Sequence, residues 1–103
     1  MASGTLGQSD LAANTNTTVY TVPVSKVSSF NVNMVNRTSA NITVRLAISA
    51  SATPSNSEFL EYDATLPANG VLERTGLVAS AQKNLVAYAN AAGVGVNVYG
   101  FEE

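Results

Sequence analysis

Residues Ile42 to Ser49 put Ile42, Val44, Leu46 and Ile48 on one parity and Thr43, Arg45, Ala47 and Ser49 on the other. This is the period of two of a strand with one face buried. The same period recurs along the chain and predicts strands over about 17–22, 27–36, 42–49, 58–64, 71–77, 84–89 and 94–101. In the second, Phe30, Val32 and Met34 alternate with Asn31, Asn33 and Val35. In the fourth, Leu60 and Tyr62 are expected inward, with Phe59, Glu61 and Asp63 on the other face. In the last, Val94, Val96 and Val98 oppose Gly95, Asn97 and Tyr99, and Gly95 is the position expected to admit another backbone or a bulge. Phe101 is expected tucked against the core, with Glu102 and Glu103 exposed.

Turn chemistry separates these strands. Pro23 cannot donate to a ladder and suits a strand end. Asn36 to Ala40 is expected as a five-residue hairpin loop. Thr53-Pro54-Ser55-Asn56 places a loop over 51–57, and Pro67-Ala68-Asn69-Gly70 is a strong turn because proline pre-sets φ and Asn-Gly tolerates φ > 0. Helix is confined to at most one turn over 79–83. Seven or eight short strands in about a hundred residues predict an all-β fold, an antiparallel two-sheet β-sandwich of jelly-roll or Ig-like style. The sandwich is expected as one domain over 17–103, preceded by an extended N-terminal arm over 1–16. That arm is small and polar, Leu6 and Leu11 are its only sizeable anchors, and a neighbouring subunit or partner is expected to order it.

Composition narrows the function classes. With 46% hydrophobic and 12% charged residues among 103, the chain belongs with folded domains rather than disordered ones. The five basic residues, Lys26, Arg37, Arg45, Arg74 and Lys83, are scattered through a chain of net charge -2, which argues against nucleic acid as a partner. No signal-peptide pattern and no apolar run of spanning length is present, so a protein made in soluble form, with no membrane partner, is expected. The absence of cysteine removes disulfides, thiol catalysis and thiolate metal sites.

Candidate chemistry is sparse. Without histidine or cysteine, hydrolysis would fall to Asp10, Glu58, Glu61, Asp63 and Glu73. Glu61 and Asp63 are expected to share a strand face, as an acid pair or hard-cation site, but alternating acids on a strand are more often its solvated or interface side. Arg45, Arg74 and Lys83 are candidates to pair with such acids across strands. Gly93-Val94-Gly95 lacks the third glycine and the helix of a dinucleotide fingerprint. Three Asn-X-Thr triplets, at Asn16, Asn36 and Asn41, match the glycosylation acceptor pattern no better than chance allows in so Asn- and Thr-rich a chain. The four tyrosines fall on different strands and no tryptophan is present, so most of the seven aromatic residues are expected as core or interface filling, with a sugar-stacking platform as the lesser alternative. No enzyme activity, cofactor or metal is expected.

Five segments carry a family resemblance: YTVP at Tyr20 to Pro23, VNR at Val35 to Arg37, EYD at Glu61 to Asp63, ANGVLERTG at Ala68 to Gly76, and YGFEE at Tyr99 to Glu103. Together with the stretches joining them, they resemble small virion structural proteins of tailed bacteriophages, including marine and cyanobacterial phages, over nearly the whole chain after the arm. The resemblance implies a particle component made in the host cytoplasm. A neutral sandwich with a pliable arm suits a capsid decoration or cement protein lying across joints between major capsid subunits. A tail, neck, baseplate or fibre component is the alternative, and a carbohydrate-binding module the second. A homo-oligomer, a trimer by capsid symmetry, is expected, with Leu6, Leu11, Glu61, Asp63 and Phe101 as candidate interface residues.

Overall fold

The computed structural model describes residues 3–103. They form eight strands, β1 (Ser3–Asp10), β2 (Thr17–Thr21), β3 (Ser28–Asn36), β4 (Ile42–Ser49), β5 (Phe59–Leu66), β6 (Val71–Ala79), β7 (Asn84–Ala89) and β8 (Val94–Glu102), with one 3-10 turn at Asn56–Glu58. The first sheet has the order β1-β8-β3-β6 and the second β2-β7-β4-β5, and every ladder is antiparallel. Four of the ladders, β1 with β8, β2 with β7, β3 with β6 and β4 with β5, nest around the connection between β4 and β5. The chain is thus one long hairpin rolled up, and the β3–β8 and β4–β7 ladders close the roll. That nesting distinguishes a jelly roll from an Ig-like sandwich.

Inward positions of both sheets fill one core, in which Phe30, Val32 and Met34 of β3 meet Val44 and Leu46 of β4 and Val94, Val96 and Val98 of β8. The expected Asn36–Ala40 hairpin is a crossing between sheets, because β3 belongs to the first and β4 to the second. Asn36 makes that crossing possible. Its buried Nδ2 donates to the carbonyls of Ala40, Leu66 and Pro67 at 2.8, 3.1 and 3.1 Å, and its Oδ1 accepts from the Thr38 N–H at 2.9 Å. A buried amide so fully paired costs little and fixes the corner.

The segment expected as an arm is an edge strand. Residues Ser3 to Asp10 pair with Phe101 to Gly95 of β8, so the ordering partner of this segment is the chain's own β8; Met1 and Ala2 lie outside the described residues. Leu11, only 2% exposed, sits in the core and donates its N–H to the Val94 carbonyl at 2.9 Å. The inward parity of Val94, Val96 and Val98 runs on to Glu102, which is 8% exposed, while Phe101 turns outward at 42%. The reading of that end is therefore reversed, and the buried carboxylate is satisfied by the Tyr20 hydroxyl at 2.6 Å. The close approach expected at Gly95 occurs at Gly100, where a Cβ would lie 2.1 Å from the Ser29 carbonyl oxygen. At Gly95 it would make only ordinary contact with Val35.

Candidate functional site

The outer faces of the two sheets differ in chemistry. On the first sheet, Ser29 of β3 lies between Phe101 of β8 and Val78 of β6 in one cross-strand row. Val27 continues the β3–β8 ladder by exchanging backbone hydrogen bonds with Glu103 at 2.8 and 3.0 Å, and so shares the face of Ser29. Val24, Val27, Val78 and Phe101 are all exposed large hydrophobics. Val27, Val78 and Phe101 gather at one end of the face, with Lys26 and Glu103 the adjoining charges in sequence. Further along, the middle of the face is polar, and Val71, exposed and paired with Val35, lies at its far end. Gln8 donates to Asn97 at 2.7 Å, Asn31 accepts from the Gly76 N–H at 3.0 Å, and the Tyr99 hydroxyl donates to Glu73 at 3.1 Å. The Glu73 bond also raises the Tyr99 pKa.

On the second sheet the outer face carries an aromatic cluster. Val44 pairs with Ala64 and Leu46 with Glu61, leaving Tyr62 and Asp63 as the extra residues of a bulge opposite Arg45. Asp63 takes φ 51, the left-handed conformation that Asp tolerates better than most residues. The bulge resets the alternation of β5. Tyr62, expected inward, is 58% exposed, and Asp63 reaches the Arg45 Nε at 2.6 Å. Arg45 lies between two rings, 4.3 Å from the centroid of Tyr62 and 4.7 Å from that of Tyr88 on β7, which flanks β4 on the other side. Phe59 meets Tyr62 edge to face at 4.9 Å and 79°. Ala47 and Val86, paired across β4 and β7, are fully buried yet belong to no part of the inner core. The second sheet is therefore packed on both faces.

Beside this cluster, Asn56, Phe59 and Tyr62 line an open depression of about 480 Å³. Its rim is rigid because Glu58 ties the preceding loop together, accepting from the N–H groups of Ser55 and Ala50 at 2.8 and 3.0 Å and from the Ser49 hydroxyl at 3.0 Å. Those backbone donors, Ser55 first, hold the Glu58 carboxyl down to about 2.

The residues singled out in the sequence are dispersed. Leu6 is the extra residue of a bulge in β1 and packs partly buried against the core. Leu11 is wholly core, so it offers no free surface. Glu61 and Asp63 do not share a face. Glu61 points into the gap between the sheets and pairs with Arg74 of β6, whereas Asp63 points outward to Arg45. Lys83 forms no ion pair among the described residues. Phe101 alone lies where an interface residue is useful, on the exposed apolar end of the first sheet. Tyr62, Arg45, Tyr88 and Asn56 were not linked by any spacing in the sequence, since only the β5-β4-β7 order brings them together. Among the described residues no group of three or more His, Cys, Asp or Glu side chains converges as a metal site, and no helix is long and apolar enough to cross a membrane. No protein-family model, curated protein or solved structure matches the chain.

Proposed function

We propose that the protein is a structural component of a bacteriophage virion, a capsid decoration or cement protein that docks across joints between major capsid subunits. The observation that carries this reading is the exposed apolar end of the first sheet, Val27, Val78 and Phe101, on a surface otherwise low in charge. Such patches mark contact surfaces more often than they decorate isolated proteins, and charge is depleted at interface cores. The resemblance of the chain to phage virion proteins supplies the class of partner. Jelly rolls recur among capsid domains, although a fold by itself does not set a function.

Three side chains are too few for a stable contact, which needs about 800 Å² on each partner. The Ser- and Asn-rich surface around them belongs to the footprint, and assembly as a homo-oligomer, a trimer at a capsid joint, enlarges it. Quantitative mass spectrometry of purified virions tests the location: copies on the order of hundreds per particle fit a decoration protein, while one ring's worth places it in the tail or neck. Phe101→Ser and Val78→Ser are expected to weaken attachment to particles with unchanged thermal unfolding, because both side chains already face solvent. Undiminished attachment of the double variant would remove the basis of this reading.

A further inference from the structure

The depression on the second sheet is built from groups that are fixed in place yet unused by the fold. Three of the four tyrosine hydroxyls donate to side chains, Tyr20 to Glu102, Tyr88 to Asn14 and Tyr99 to Glu73. Among the described residues the Tyr62 hydroxyl enters no such bond, and its ring is the most exposed of the aromatic side chains. The Asn56 amide likewise stays outside the network that engages its neighbours Ser51, Ser55 and Glu58. The ring is nevertheless held, by the Arg45 guanidinium over one face and Phe59 at nearly a right angle. A ligand stacking there would order nothing new, which removes a principal cost of binding.

The electrostatics define what fits. Arg45 is neutralised by Asp63 and covered by two rings, and Glu58 is saturated by loop donors. The corner therefore offers no free charge to an anion or a cation. It offers aromatic surface, one hydroxyl and one amide. That combination suits a molecule with an apolar C–H face and a rim of hydroxyl groups, and a space of about 480 Å³ falls within the range of small-ligand sites. We infer that this corner binds a neutral saccharide, with a sugar ring laid on the exposed side of Tyr62 and its hydroxyls bonded to the Tyr62 hydroxyl and the Asn56 amide.

The inference is independent of particle docking, which uses the opposite sheet. It is tested by screening the isolated protein on an array of neutral glycans and following the strongest hit by NMR titration of the labelled protein. Saturable shifts confined to the surroundings of Asn56, Phe59 and Tyr62 are expected, with millimolar affinity as for a single stacked ring. Tyr62→Ala, a surface change that leaves the core intact, should weaken binding at least about tenfold. Tyr62→Phe should cause a smaller loss, and Phe101→Ser none. No binding across the array, or binding indifferent to Tyr62→Ala, overturns the proposal. So does loss of particle attachment in Tyr62→Ala without any glycan affinity, which would assign the corner to a protein contact.

Discussion

The two lateral seams of the sandwich, where an edge strand of one sheet meets an edge strand of the other, are closed by opposite means. Between β1 and β2 the closure is steric and dry. A Cβ at Gly7 would lie 2.3 Å from the Val19 carbonyl oxygen, so the strands meet only because that side chain is missing. Leu11 fills the space beyond, and the Tyr20 hydroxyl reaches across to the buried Glu102. Between β5 and β6 the closure is ionic and wetter. Glu61 lies opposite Leu46, and Arg74 opposite Val32, both buried, so the two charges face each other across the gap while keeping partial exposure. A seam made of packing loses much when one atom is wrong, whereas one made of a half-solvated ion pair loses little when the pair is removed.

Leu11→Ala should show the largest effect, about 2–5 kcal/mol in urea unfolding, because it opens a cavity in the dry seam. Gly7→Ala should cost about 1–3 kcal/mol through overpacking, and hydrogen exchange should locate the damage in the amides of Ser3 to Asp10 before any other strand. Tyr20→Phe should cost about 1–3 kcal/mol by leaving the buried Glu102 carboxylate without its donor. It carries a pH signature as well. Burial and the Glu102 bond push the Tyr20 hydroxyl up to about 12, above the ordinary value near 10. The folded state thus holds the proton more tightly, and the contribution is intact below pH 10 and lost as pH rises from there through 12. Alkaline titration of stability should show that decline in the native protein and a smaller one in Tyr20→Phe, where the raised Tyr99 hydroxyl still contributes. Arg74→Met should be the mildest, about 0.2–1 kcal/mol and smaller still in high salt. An Arg74→Met cost equal to that of Leu11→Ala would erase the contrast between the seams.

The same contrast explains what could be read along the chain. Asn84 to Ala89 and Ile42 to Ser49 were expected with the bounds they have, since each lies between two other strands and buries one face in the core. Strand β1, with the sequence SGTLGQSD, is an edge strand with little apolar periodicity. Its order comes from pairing with residues about ninety positions away, and no local pattern records that. At Tyr62 the alternation failed because a bulge inserts an extra residue. At Glu102 the alternation holds against the rule that a glutamate is rarely inward unless paired, and its partner Tyr20 lies 82 residues off, where no local pattern shows it. Pairing of Arg45 and Arg74 with Asp63 and Glu61 was legible as charge complementarity, though not that the two pairs serve different faces. The aromatic corner was illegible for a topological reason, as its members stand on strands made neighbours by the roll.

The nesting of the ladders has a consequence for how the molecule comes into being. Strand β8 stands between β1 and β3, so until it has left the ribosome β1 has nothing to pair with and the first sheet is reduced to β3 and β6. Of these eight strands, the first to be synthesised waits for the last. Such distant pairing makes folding slow and nearly all-or-none, and a ribosome stalled before Val94 would release an open, sticky half-sandwich rather than a smaller folded protein.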